Sequence, residues 1–445
     1  MNQTTSAAAA PDRRFVLGWY ALCVFILTTI CAGVDRQIFV LLAQPIRKAF
    51  NLSDTQFGLL QGVGFALIAG LASLPLGWLA DKFPRRWILV LCILVWSAMT
   101  AAIGMVHSYT GLFIASMGVG IGEAGLNPIL FGMIPDLFPN RSQRALANTI
   151  LAFSIVAGSG IGLAASGALI EFLSTVQPLL PFGLSHLEHW RVIFLSAVPI
   201  GLVVAVLVMP IRERRERVGP LAQHAAKGEG IIRHFLSNRR TTLGLYGGIG
   251  FAACAMTSFI MWLPITASRQ FGLPPQEIGN RLGLAYIVGA VAGTIIGTVL
   301  EKVLRPRLQA ATSIRIMALS LLLTGTLAAA LPFADSPSLL FLMATLVLVP
   351  CTSGYAVMAI AVQDMATASI RSRALGVYSI VSVFFSAGGL VVVGGLSDVL
   401  TGSSNALLVA MSGTCAFSGL LAAVLLLWVQ RHFVSTVARV TIAGR

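Results

Sequence analysis

Twelve apolar runs follow one another along the chain, at about 15–43, 56–80, 87–106, 110–134, 145–173, 190–210, 241–268, 277–300, 312–332, 337–362, 373–400 and 404–430. A helix crosses hydrocarbon in about 20 apolar residues, so each run is long enough to span a membrane. The second opens on "LSDTQ", where Ser53 followed three residues later by Gln56 spells a capping box and marks a helix start. The longest polar segment, 211–240, contains "RERRERVGP" and "AAKGEG"; it is charged and lacks periodicity. It falls after the sixth run and divides the chain into six plus six. The pattern predicts an all-α membrane protein of twelve transmembrane helices in two pseudo-symmetric six-helix bundles, 15–210 and 241–430. Residues 1–14, 211–240 and 431–445 are expected to be an N-terminal tail, a linker and a C-terminal tail, all cytoplasmic.

Composition supports the same class. The 445 residues are 57% hydrophobic and 10% charged, whereas a soluble domain carries about 25% charged residues. The net charge of +14 invites a nucleic-acid reading, which its distribution rejects. Arginine and lysine concentrate in alternate loops: Lys82, Arg85 and Arg86; Arg141 and Arg144; the 211–240 segment; Lys302, Arg305 and Arg307; Arg371 and Arg373; and the C-terminal Arg431, Arg439 and Arg445. The intervening loops hold few. This asymmetry is the positive-inside rule and predicts both termini in the cytoplasm of a cell inner (plasma) membrane. The N-terminal "MNQTTSAAAAPDRR" does not read as a signal peptide.

The six cysteines lie in apolar runs without CxxC spacing, so neither disulfides nor a metal site are expected. The six histidines sit in loops or at span ends without an HExxH motif, and "GSGIG" lies inside a span rather than after a strand. An enzyme is therefore not expected. A sensor would typically add a soluble output domain, and none is evident.

The second half repeats the first. "RALA" (144–147) pairs with "RALG" (373–376); each follows an acid at a span end, Asp136 or Asp364, and each precedes a glycine-rich helix. "GWLADKFPR" (77–85) pairs with "GTVLEKVLR" (297–305), matching Gly77 with Gly297, Asp81 with Glu301, Lys82 with Lys302 and Arg85 with Arg305. Repeats of this kind build secondary transporters, with a site near the midplane between them.

Ionisable residues inside the membrane are candidate functional groups. "CAGVDRQIFVLLA" (31–43) places Asp35 beside Arg36. Consecutive helical residues do not face each other, so each needs a partner elsewhere. The candidate is Glu123 in "GVGIGEAGLNP" (118–128), about 20 Å along its helix from Thr110. The spacing leaves Arg36 between two carboxylates, and a structural ion pair between the first and fourth helices stands beside the functional reading. Glycines 118, 120, 122 and 125 either open space for a ligand or pack helices. Ser116, Asn127, Trp262, Tyr286, Thr352 and Tyr355 are candidate cavity residues, with helix packing as the alternative for the aromatics. The repeat sets the charged half against an apolar wall in the second half, an arrangement that suits an amphipathic substrate with its anionic head near Arg36. A buried carboxylate is neutralised by desolvation and ionised by a nearby arginine; these opposing effects make the proton the expected coupling ion, with no other cofactor.

"GWLADKFPRR" (77–86) resembles the loop signature of the major facilitator superfamily, with Pro84 where the common pattern has glycine. The resemblance implies that Gly77, Asp81, Lys82, Arg85 and Arg86, with Asp136, Arg144, Glu301, Arg305 and Arg373 around the two copies, control alternating access rather than bind substrate. "DR" (35–36), "LSDTQFGLL" (52–60), "GEAG" (122–125), "DLFPNRSQRA" (136–145) and "HWRVIF" (189–194) extend the resemblance to the spinster-like branch. That branch implies a lysolipid or sphingoid-phosphate substrate, membrane lipids as surroundings and a monomer. The anion:cation symporters for sugar acids share the "DR" and "GEA" layout. Both groups often carry an arginine at the position of Ser116, which leaves Arg36 as the core cation. Drug antiporters often carry a glycine-proline pattern in the fifth span; "AGSGIGLAASG" lacks the proline.

Overall fold

The computed structural model describes residues 13–138, 140–181, 183–211, 231–367, 370–400, 403 and 405–443. Among these residues no strand occurs, and twelve helices are long and apolar enough to cross a membrane. They are α1 (Arg13–Leu41), α2 (Asp54–Lys82), α3 (Arg85–Met105), α4 (Tyr109–Leu137), α5 (Arg141–Val176), α6 (His189–Val208), α7 (Arg239–Phe271), α8 (Pro275–Leu308), α9 (Ala311–Ala329), α10 (Pro337–Met365), α11 (Arg371–Val399) and α12 (Ala406–Ala443). Short helices at Ala43–Phe50 and Ile231–Ser237 lie outside the spans.

The ends follow local chemistry. The Ser53 side chain accepts from the Gln56 backbone and the Gln56 side chain accepts from the Ser53 backbone, so α2 begins at the anticipated capping box. The helix α4 breaks at Gly125, running as Tyr109–Ala124 and Leu126–Leu137. Pro128 explains the break: it lacks the N–H that would bond the Ala124 carbonyl and its ring crowds that oxygen. The expected tail at 1–14 falls mostly outside the described residues. The expected tail at 431–445 differs: helix α12 continues to Ala443, with Phe433 buried and Thr436 bonded to Thr241. Of the 211–240 linker, 212–230 lie outside the described residues, and the remainder includes the Ile231–Ser237 helix.

In the first half α1 packs on α5 and α3 on α4 and α6; in the second, α7 packs on α11 and α12, and α10 on α8 and α9. The halves meet along two seams, α5 against α8 and the start of α2 against α11. Glycine makes the α5–α8 seam possible. A Cβ at Gly160 would lie 2.5 Å from the Gly283 carbonyl oxygen, and one at Gly283 would lie 2.7 Å from the Gly160 oxygen.

The core is unevenly shared. One buried cluster joins both halves at the end carrying Asp54, where Phe57 meets Trp262 edge to face with ring centres 5.8 Å apart. A second, built from Leu245, Ile314, Val357, Met365 and Phe433, stays within the second half at the end carrying the basic loops. The two halves are thus welded at the Asp54 end and separate at the basic end.

Replacing Gly283 by leucine drives side-chain carbon into the α5 backbone. Overpacking of this kind costs about 1–3 kcal/mol, so the thermal unfolding midpoint of the purified protein should fall; an unchanged midpoint would mean the seam is not held closed.

Candidate functional site

Arg36 sits where α1, α2 and α4 converge. Its Nη2 donates to Glu123 Oε2 at 2.5 Å, and its guanidinium lies 5.1 Å from the centre of the Phe65 ring. Asp35 takes a different partner: the buried Trp96 indole N–H on α3 donates to Asp35 Oδ2. The two adjacent charges are satisfied by different helices, as their angular offset requires.

Local sequence explains these placements. Gly122 lets α3 come close, since a Cβ there would lie 2.6 Å from Trp96. The glycines beside Glu123 therefore serve helix packing rather than ligand space. Phe65 belongs to a π-helical stretch of α2, Leu60–Leu67, whose wider turn carries both Gln61 and Phe65 to the cavity beside Arg36.

The arginine side chain is 46% exposed, whereas that of Glu123 is 4% exposed. The exposure is toward a cavity of about 590 Å³ lined by Arg36, Glu123 and Asn127, by α2 from Ala69 to Trp78, and by α11 from Gly376 to Phe384. Its walls are mostly apolar: Leu71, Leu74 and Trp78 face Ile380, Val383 and Phe384. Two smaller cavities meet the same pair. One, about 20 Å³, adds Asp35, Gln61, Thr100 and Ser116; the other, about 80 Å³, reaches Thr29 and Ser159 on α5. Glu123 Oε1 is buried without a hydrogen-bond partner among the described residues.

Of the candidate cavity residues, Ser116 and Asn127 line these spaces. The other four are held in packing. Trp262 is 1% exposed. Tyr286 donates to the Ile260 carbonyl at 2.9 Å, and Thr352 to the Gly289 carbonyl at 2.9 Å. Tyr355 packs against the second-half core. The second-half wall comes from α11 instead.

The loop motif and its copy form matching ion pairs. Arg85 Nη1 donates to Asp136 Oδ2 at 3.0 Å and to the Gly132 carbonyl at 2.5 Å. Arg305 donates to Asp364 at 2.9 Å and to Glu301 at 2.7 Å. Arg144 donates to the Phe138 carbonyl at 3.3 Å, Lys82 lies over Trp78 and Arg86 over Trp87. Arg373 is exposed at the start of α11. Asp81 is 76% exposed, 3.7 Å from Arg85. Gly77 does not mediate close helix approach: nothing lies within 4 Å of its would-be Cβ, and it lines the large cavity.

A cluster that sequence reasoning missed closes the opposite end. Arg269 on α7 holds Asp54 through two hydrogen bonds of 2.8 Å, Arg47 approaches it at 3.1 Å, and Ser397 donates to it at 2.8 Å. Asp398 on α11 accepts from the backbone N–H groups of Asp54 and Thr55 at 2.9 and 2.8 Å and from the Thr55 hydroxyl at 2.6 Å. A carboxylate from one half therefore caps a helix of the other, where the helix dipole favours it. Burial lowers the pKa of Arg47 from its ordinary value and Asp54 opposes that shift; arginine remains charged under such conditions.

Residues 25–314 match the family model described as Major Facilitator Superfamily. An MFS-type efflux pump of Mycolicibacterium smegmatis is 27% identical over 86% of this chain and 85% of its own length. A probable L-galactonate transporter of Escherichia coli is 27% identical over 61% of this chain and 58% of its own. A sphingosine-1-phosphate transporter of Xenopus tropicalis is 32% identical over 35% of this chain and 31% of its own. A solved bacterial homologue of the human lysosomal transporter Spinster, inward-facing and unoccupied, superposes with a TM-score of 0.77 at 23% identity, covering 98% of this chain and 99% of that one.

Asp398→Ala removes the cap and costs the closed end about 2 kcal/mol or more. Spin labels at the exposed Asn51 and Leu400 should then report a longer or broader distance distribution than in the parent protein. An identical distribution would remove Asp398 from the closure.

Proposed function

Because the chain belongs to the Major Facilitator Superfamily, we propose that it carries an amphipathic anion, of the lysolipid or sphingoid-phosphate class, across the membrane by proton-coupled alternating access. As a transporter of this family it handles small-molecule cargo and performs no catalytic chemistry.

The observation that carries the substrate class is the exposed Arg36 at the head of a 590 Å³ cavity with apolar walls. An anionic head group pairs with the guanidinium, while its tail lies between Leu71, Leu74 and Trp78 on one side and Ile380 and Phe384 on the other. The positive-inside distribution supports a cytoplasmic location for the basic, open end; on that reading the present arrangement is inward-open with the Asp54 end sealed.

Coupling follows from competition for Arg36. An anionic substrate that takes the guanidinium releases Glu123, whose carboxylate is then buried without its cation. Desolvation of that kind is relieved by taking up a proton. Asp35, held by Trp96, supplies a second carboxylate beside the same small cavity. When the substrate leaves, Arg36 recaptures Glu123 and the proton is released.

The test is proton flux into proteoliposomes read by an enclosed pH dye, with lysophospholipids or sphingoid phosphates in one series and sugar acids in another. The lipid series is expected to give the signal. Glu123→Gln and Asp35→Asn should each lower it by about tenfold or more, the equivalent of 1.4 kcal/mol, with folded protein retained. A signal from sugar acids alone would reassign Arg36 to small carboxylates, the chemistry named for the L-galactonate relative. Undiminished flux in both variants would overturn the coupling scheme.

A further inference from the structure

The cytoplasmic end of the α7–α12 pair, far from Arg36 in the chain and absent from the transport scheme, has the composition of a binding site. Helices α7 and α12 run antiparallel there. Thr241 bonds to Thr436 at 2.9 Å, a Cβ at Gly244 would meet Val429, and one at Gly248 would meet Leu426. This register sets Arg240 against His432, with Nη1 to Nε2 at 3.3 Å. Arg439 reaches back to the Asn238 side-chain oxygen at 2.8 Å. Arg239 and Arg431 flank them, and all four arginines are exposed.

Neither α7 nor α12 contains an aspartate or a glutamate. Residues 231–276 and 399–445 contain neither aspartate nor glutamate. Among the described residues, none of these four arginines forms an ion pair. The arginines of the loop motif and its copy do pair with acids, Arg85 with Asp136 and Arg305 with Asp364. Here Arg240 and Arg439 meet instead a histidine ring and an amide oxygen.

The surroundings say which anion fits. One turn toward the membrane centre from the Arg240–His432 contact, Leu243 is 70% and Trp428 54% exposed, and Trp428 lies against the His432 ring. Val424 and Leu427 continue the apolar face. Exposed tryptophan beside exposed aliphatic groups marks the level where head groups meet acyl chains. A soluble anion would match the cations and leave this apolar face unused. We propose that this end of α7 and α12 binds an anionic phospholipid, its phosphodiester between Arg240 and Arg439 and its acyl chains along Leu243, Val424 and Trp428. The site clamps the linker-side start of the second half to the cytoplasmic leaflet.

The test uses the full-length purified protein. Thermal unfolding is followed in detergent with added phosphatidylglycerol, phosphatidylcholine or inorganic phosphate. Phosphatidylglycerol alone should raise the midpoint. Each basic residue near a membrane surface contributes about a fivefold factor in affinity, so Arg240→Gln with Arg439→Gln should weaken the lipid response by roughly 25-fold, while the paired lysine substitutions keep it. Equal stabilisation by phosphatidylcholine would overturn the proposal, as would an unaltered response in the glutamine variant. An equal effect of phosphate alone would assign the cations to a free anion and overturn the lipid. Should the glutamine variant fail to fold, native mass spectrometry of the parent protein decides: retained phosphatidylglycerol in preference to phosphatidylcholine supports the site, and no preference refutes it.

Discussion

A guanidinium in the middle of a membrane protein is tolerated only while something answers its charge. In this chain that something is Glu123, and much of the architecture is arranged around the bond. Helix α4 breaks at Gly125, two residues beyond the carboxylate, because Pro128 cannot continue the hydrogen-bond ladder. The helix α2 widens into π turns beside it and supplies Phe65 as a second face for the cation. Removing one partner of a buried pair costs more than removing both. In the proposed scheme, an anion that takes Arg36 displaces Glu123, and the displaced carboxylate takes up a proton.

The two ends of the molecule solve opposite problems with the same chemistry. At the Asp54 end, acids of one half are held by groups of the other: Arg269 on Asp54, and the start of α2 on Asp398. At the basic end, the two motif arginines pair with acids of their own half, Arg85 with Asp136 and Arg305 with Asp364. Bonds between halves hold a surface shut, whereas bonds within a half keep it shaped while it stands open. The buried core shows the same division: one cluster runs across both halves at the Asp54 end, whereas the second cluster, at the basic end, stays within the second half.

Much of this was legible before any coordinates. The twelve spans follow from run length, the start of α2 from Ser53 and Gln56, and the matching of Arg85 with Arg305 and of Asp136 with Asp364 from the internal repeat. What escaped depends on contacts across the fold. In sequence Asp54 is an ordinary acid in the first turn of a capped helix. Its partners Arg269 and Asp398 act on it or its backbone from 215 and 344 residues away, and no local spacing records that. The sequence candidates for the second-half wall, Trp262, Tyr286, Thr352 and Tyr355, are held in packing. The wall comes from α11 instead, because α2 and α11 part company at the open end and expose their facing sides. The glycines near Glu123 carried two readings in sequence, and the proximity of Trp96 to Gly122 decides for packing.

The widened turns of α2 have a geometric consequence for motion. Gly62 and Gly70 are eight residues apart, a separation that rotates an ordinary α-helix by about 80°. Yet both face α11: a Cβ at Gly62 would meet Ala387, and one at Gly70 would meet Val383. The π stretch between them absorbs the phase error, so α2 presents α11 with a single straight track of small residues. Two rods touching along such a track can shift their crossing point from one end to the other without either rod bending. Such a track would let the pair rock as on a rail, with the Arg36–Phe65 contact beside the π stretch.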